Sequence, residues 1–230
     1  MRRFLLSGLM LLVFGVAFGQ KTNDWAYFSC FAEENAALTK APIAVFMGNS
    51  ITQNWRNFHP DYFSSHNYAG RGIGGQVTSQ MLCRFRADVL DLHPKVVVIF
   101  AGTNDIAQND GAISVAHIMD NIKSMAELAM GHKIKVILCS VTPVAETGYP
   151  WRPKEFNESV KPNDKIQALN ALIKAYAKET KCDYVDFWTP MANEKGAMKT
   201  DLSKDGCHPN PDAYFAMEEL VTPIIEKRAK

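Results

Sequence analysis

The chain is short of several things, and each shortage closes off a class of function. It has no excess charge of either sign: 25 Lys and Arg stand against 24 Asp and Glu, a formal net charge of +1. No run of basic residues forms a stripe for a nucleic-acid backbone. There are five cysteines, Cys30, Cys83, Cys139, Cys182 and Cys207, an odd number without close pairs. That is not a disulfide framework, although export would allow one bridge using Cys30 or Cys182. Cys83 and Cys139 fall among apolar residues and read as buried thiols. No His, Cys and Asp cluster has metal-ligand spacing. No Gly-Lys-Ser/Thr closes a phosphate loop, and the glycines lack dinucleotide-binding spacing. Internal repeats and low-complexity linkers are missing as well.

Long apolar runs are also scarce. The one at the start runs from Phe4 to Phe18, follows Arg2 and Arg3, and ends in Ala17-Phe18-Gly19, a small-residue cleavage site. It reads as a secretory signal peptide over residues 1–19, with a membrane anchor as the alternative. No Cys follows directly to take a lipid. The expected product is a single domain over residues 20–230, secreted or periplasmic, with no membrane span. Removing Arg2 and Arg3 leaves 23 basic residues against 24 acidic, a net charge of −1.

What is present is an alternation of strand and helix signals after an irregular lead-in over residues 20–40. Ile43–Met47 is a short continuous apolar run, as expected of a strand buried on both faces; Val96–Phe100 is the clearest strand, and Ile134–Cys139 gives another. Tyr68-Ala69 and Asp183–Phe187 mark two shorter ones. Between them, apolar residues recur at helical spacing: Val77, Met81, Phe85, Val89 and Leu92; Ile118, Ile122, Met125 and Ala129; Ile166, Leu169, Ile173 and Tyr176. Asn210 caps a last helix with Pro211 in its first turn, and Ala213, Met217, Leu220 and Ile224 follow its inner face. Five strands with intervening helices imply an α/β domain with a parallel sheet, whose strand C-terminal ends share the ligand-binding edge.

Four short segments map to that edge or to a loop able to reach it. Ser50, in Gly48-Asn49-Ser50-Ile51-Thr52, follows a strand and opens a helix. It reads as a helix cap or as a nucleophile whose own N–H faces incoming negative charge. Gly72-Ile73-Gly74-Gly75-Gln76 allows a tight turn, or brings a bare N–H, best Gly75, against a reacting carbonyl. Asn104, in Gly102-Thr103-Asn104-Asp105, either makes an Asx turn or aims its amide into the cleft; Asp105 reads as structural. Asp205 and His208, three apart in Asp205-Gly206-Cys207-His208, read as a turn and a surface His or as an acid–base pair. His59, His66, His93, His117 and His132 read as surface or packing residues. A hydroxyl, two kinds of oxyanion donor and a His–Asp pair are together the parts of a serine hydrolase.

These blocks, in this order, resemble the SGNH hydrolases, or GDSL esterases and lipases. Gly72–Gly75 and Gly102–Asn104 are most similar to the branch that includes platelet-activating-factor acetylhydrolase. The resemblance covers essentially the whole chain after the signal. It implies a flavodoxin-like three-layer α/β/α sandwich on a five-stranded parallel sheet. It also implies Ser50 as nucleophile, Ser50, Gly75 and Asn104 as the oxyanion hole, Asp205 and His208 as the dyad, and no metal or organic cofactor. Asn49 departs from the family's usual Asp, which bears on local hydrogen bonding and pH response. Thr142–Pro162 holds Pro143, Pro150, Trp151, Pro153 and Phe156 at the expected cleft edge. Its aromatics either pack on the domain or, through Trp151, offer a flat face to a sugar or acyl group. Arg71 is read as a substrate contact or a structural residue. With no long apolar lid, the expected substrate is a short acyl ester, an acetyl group on a small molecule or carbohydrate. The alternatives are a lysophospholipase or other lipid-ester acylhydrolase, and a catalytically silent carbohydrate-binding protein.

Overall fold

A computed structural model describes residues 24–230, so the signal-peptide segment lies outside the described residues. The strands are β1 (Ala44–Gly48), β2 (Tyr68–Gly72), β3 (Val96–Phe100), β4 (Lys135–Cys139) and β5 (Asp183–Val185). They form one parallel sheet in the order β2-β1-β3-β4-β5. This is the doubly wound order whose switch point lies between β1 and β3, where ligands bind at the strand C-terminal ends. The helices are α1 (Ala32–Ala37), α2 (Ser50–Phe58), α3 (Pro60–Ser65), α4 (Thr78–Asp88), α5 (Thr103–Ile106), α6 (Val115–Gly131), α7 (Lys154–Val160), α8 (Pro162–Thr180), α9 (Trp188–Met191) and α10 (Pro211–Ala229).

Strand alternation divides the core into two layers. Val45, Met47, Val97, Ile99, Val136 and Leu138 face α4, α6 and α8, meeting Met81, Phe85, Ile122, Met125, Leu169 and Ile173. Ala44, Phe46, Val96, Val98 and Ile137 face α2, α3 and α10, meeting Trp55, Phe63, Tyr214, Met217, Val221 and Ile225. The three-layer sandwich expected from the sequence is therefore present. The lead-in forms a 3₁₀ turn, Phe28–Phe31, and then α1.

Three expectations need correction. The inner face of α10 carries Ala213, Tyr214, Met217, Val221 and Ile225, while Leu220 is 40% exposed and Ile224 is half-buried. The buried Tyr214 hydroxyl donates to Ile51 O (2.8 Å), so a residue with a polar tip takes an interior position. Cys83 is exposed because Arg84 and Asp88 occupy the buried side of α4 beside Met81 and Phe85. All five cysteines are free, so no bridge uses Cys30 or Cys182.

The ends of β1 and β2 touch the start of α2. A Cβ on Gly72 would stand 2.3 Å from Gln53 N and 2.6 Å from Asn49 O, both backbone atoms that cannot rotate away. Gly72→Ala should lower stability by at least about 2 kcal/mol, an overpacking cost, in urea unfolding; an unchanged midpoint would show that this contact is not tight.

Candidate active site

The loop after β1 begins with Asn49, whose Oδ1 accepts from Ile51 N (3.0 Å) and caps α2. Asn49 thus takes the capping role, which frees the Ser50 hydroxyl for another partner. That partner is His208: Ser50 Oγ and His208 Nε2 are 2.9 Å apart across 158 residues of sequence. On the other side of the ring, His208 Nδ1 is 2.6 Å from Asp205 Oδ2. This contact assigns the Nδ1–H tautomer and leaves Nε2 as the acceptor toward the hydroxyl.

The loop that carries Asp205 and His208 is held mostly by its own backbone. Asp205 Oδ1 accepts from Cys207 N (2.9 Å) and His208 N (2.8 Å). Ser203 Oγ lies 3.1 Å from Asp205 Oδ1 and 2.7 Å from His208 O. Partial burial raises the Asp205 pKa, but hydrogen bonds from the His208 ring and the two backbone amides outweigh it and hold the carboxyl at about 2. The carboxylate is therefore charged across the neutral range.

Gly75 sits at φ +77, a conformation that favours glycine, with open space where a side chain would lie. Its neighbour's N–H is occupied, since Gly74 N donates to Gln53 Oε1 (2.9 Å). Among the described residues no acceptor takes the N–H of Ser50 or of Gly75. Asn104, at the start of α5, is buried; its Nδ2 donates to Gln76 O (3.0 Å) and keeps a second N–H. Asp105 points away and accepts from Thr78 N (3.0 Å) and Thr78 Oγ1 (2.5 Å), as a structural residue would. Its burial raises the carboxyl to about 6, against the lowering by those Thr78 bonds.

Trp151 is 43% exposed and lies beside the imidazole, with ring centroids 6.0 Å apart. Its loop is anchored by Tyr149, whose hydroxyl donates to Thr103 O (2.7 Å) next to Asn104. Asn157 holds the Tyr149 backbone from both sides, by N (3.0 Å) and O (3.0 Å). Arg71 does not join this group. It is fully buried, bonded to Glu34 Oε1 (2.7 Å) and Asn35 Oδ1 (2.9 Å), and its guanidinium carbon lies 4.8 Å from the Phe31 ring centroid. Its structural reading is the one these contacts support. His59, read as a surface or packing residue, lies 2.6 Å from Glu218 Oε1 in the packing between α2 and α10. Sequence reasoning gave Ser203, Tyr149 and Gln76 no role; Gln76 stood inside the second block, and nearness to the last block was the only mark on Ser203.

The sequence pattern of the GDSL-like lipase/acylhydrolase family matches residues 46–216, and the chain belongs to that family. It is similar to a GDSL-like lipase of known structure from Bacteroides thetaiotaomicron VPI-5482: 48% identity, a TM-score of 0.82, and coverage of 88% of this chain and 98% of that one. A candidate acylhydrolase from Bacteroides fragilis NCTC 9343 gives 44% identity, a TM-score of 0.83, and coverage of 91% and 100%. A 78-residue stretch is 38% identical to the uncharacterized lipoprotein YqeF of Bacillus subtilis (strain 168). That match covers 33% of this chain and spans about a third of the relative's length (32%). The protein is an ester hydrolase of the GDSL-like type. No helix among the described residues is long and apolar enough to cross a membrane.

The depressed Asp205 pKa has a pH consequence. Folded Asp205 binds its proton near pH 2 and the unfolded group near 3.8. The stability it contributes is present above about pH 4 and is lost as pH falls toward 2. In acid unfolding followed by circular dichroism, Asp205→Asn should flatten the stability profile between those values; an unaltered slope would mean that the carboxylate is not held as described.

Proposed function

We propose that the protein is an exported serine esterase that removes short acyl groups, of the acetyl class, by a two-step acyl transfer to water. The observation that carries this reading is the continuous Ser50–His208–Asp205 chain of contacts at 2.9 and 2.6 Å. His208 Nε2 takes the Ser50 proton as Oγ attacks the ester carbonyl, and then delivers it to the leaving alcohol. Asp205 keeps the ring in the productive tautomer and stabilises the imidazolium. The carbonyl oxygen, now negative, accepts from Ser50 N–H, Gly75 N–H and the second N–H of Asn104. Each such donor contributes on the order of 3 kcal/mol at the transition state. Water, deprotonated by His208, releases the acyl group from Ser50 by the same path in reverse. Export rests on the Arg2-Arg3 start and the apolar run after it, with residues 20–230 as the mature domain.

Openness favours a short acyl group on a larger polar carrier. The Asp205 and His208 side chains are 46% and 27% exposed. A groove of about 590 Å³, lined by Ala145, Gly148, Lys154 and Asn163 among others, has no triad side chain in its wall. Trp151 beside His208 gives a sugar ring a flat apolar face to lie on. A long acyl chain needs an enclosed apolar channel, and the partly exposed His208 and Asp205 argue against one here.

Ser50→Ala should lower kcat on p-nitrophenyl acetate by about 10⁴-fold or more, with circular dichroism and Tm unchanged; turnover within tenfold of the parent enzyme would reject Ser50 as nucleophile. Comparing p-nitrophenyl acetate with octanoate should give the higher kcat/KM for acetate. Preference for octanoate would favour the lipid-ester reading. Failure to turn over either ester would favour a silent binding protein.

A further inference from the structure

Arg84 lies in α4, outside all four blocks, yet its guanidinium is fully buried. Hydropathy alone places an arginine on a helix surface, so this burial calls for an explanation. Nη1 pairs with Asp88 Oδ2 (2.9 Å), one turn along the same helix, which neutralises the charge. The remaining donors point at the backbone and side chains that carry the site. Nη2 donates to Gly48 O (3.1 Å) at the end of β1 and to Arg71 O (2.9 Å) at the end of β2. Nε donates to Gln76 Oε1 (2.6 Å).

Those acceptors lie next to the oxyanion donors. Gly48 is two residues before Ser50. Arg71 precedes the Gly72–Gly75 turn, and Gln76 directly follows Gly75. The Gln76 carbonyl is itself the acceptor for Asn104 Nδ2 (3.0 Å). Gln76 Nε2 donates to Ala26 O (3.0 Å), which ties the lead-in over the same network. One planar group with donors in fixed directions thus links the segments that carry Ser50 N–H, Gly75 N–H and the Asn104 amide. A lysine at this position offers no such fork.

We propose that Arg84 is a positioning residue: with Gln76 as its relay, it sets the mutual spacing of the three oxyanion donors. The proposal rests on the esterase reading above and adds to it a residue that touches no substrate. Oxyanion donors act only when held within a few tenths of an ångström of the developing charge. Loosening the Arg84 fork therefore lowers the chemical rate while leaving substrate affinity nearly unchanged.

The test uses the full-length enzyme with Arg84→Lys and, in case that variant does not fold, Gln76→Met. A fluorophosphonate probe with peptide mapping counts the sites reactive at Ser50. Steady-state kinetics on p-nitrophenyl acetate then give kcat per reactive site and KM. A boronic acid, whose tetrahedral adduct places an oxygen in the anion hole, reports on that hole independently. Positioning predicts that kcat per reactive site falls about 10-fold to 100-fold, a fraction of the loss on deleting a donor outright. KM should change by less than about threefold, since the lost interaction is one made only at the transition state, and boronate affinity should weaken in parallel with kcat. A merely structural role predicts fewer reactive sites and a lower Tm with kcat per site and boronate affinity at parent values; that result overturns the proposal. If the parent enzyme itself is not labelled at Ser50, the esterase reading fails first and the positioning role falls with it.

Discussion

The contact between Ser50 Oγ and His208 Nε2 joins the first helix after β1 to the loop before the last helix. Nearly every other feature of the fold serves to bring those two atoms together. The doubly wound strand order puts β1 between β2 and β3, so Ser50 emerges at the switch point with the β2 and β3 loops on either side. The loop of His208 arrives from beyond β5, at the far end of the sheet, and needs its own restraints. Ala145 N donates to Gly206 O (2.6 Å), Asn210 N donates to Leu202 O (2.8 Å), and Asn210 Nδ2 donates to Asp201 O (2.7 Å). These bonds fix an otherwise irregular segment at the edge where the parallel strands end.

The residue before Ser50 shows how a departure from the family's usual pattern is absorbed. The resemblance makes Asp the ordinary neighbour of the nucleophile, and Asn49 removes its charge. The carbonyl half of the amide still accepts from Ile51 N (3.0 Å), so α2 keeps its cap and Ser50 keeps a free hydroxyl. A Ser is itself a preferred cap; had Ser50 taken that role, its oxygen would be turned toward its own helix and away from the imidazole. The cap at Asn49 is therefore a structural condition for the Ser50–His208 contact next to it.

Much of this was legible in the sequence because the signals were local. The β1 and β3 runs are apolar enough to be buried on both faces, and they are; β4 is buried from Val136 to Cys139, with only its first residue, Lys135, exposed. Asn210 and Pro211 mark the start of α10, and Asn210 Oδ1 does accept from Ala213 N (3.0 Å). What escaped notice was polar and long-range. Arg84 and Asp88 look like a surface ion pair at i, i+4 spacing, yet they fill the interior face of α4 and turn Cys83 outward. Tyr214 outranked Leu220 for the core because Ile51 O, 163 residues away, waits for its hydroxyl. Arg71 borders the second block in sequence but faces Glu34 and Phe31, because side chains on a strand alternate between its two faces. No periodicity of apolar residues reports such pairings, since each depends on a partner brought near only by the fold.

The central claim is that an alcohol oxygen on Ser50 carries the acyl group during turnover. Its most direct test is to mix enzyme with p-nitrophenyl acetate, quench in acid within the first turnovers, and map the peptides by mass spectrometry. The account predicts one acetyl group on the peptide containing Ser50, absent from the Ser50→Ala protein, together with a burst of p-nitrophenol close to one equivalent per enzyme. Steady hydrolysis with no burst and no acetyl on that peptide would contradict it.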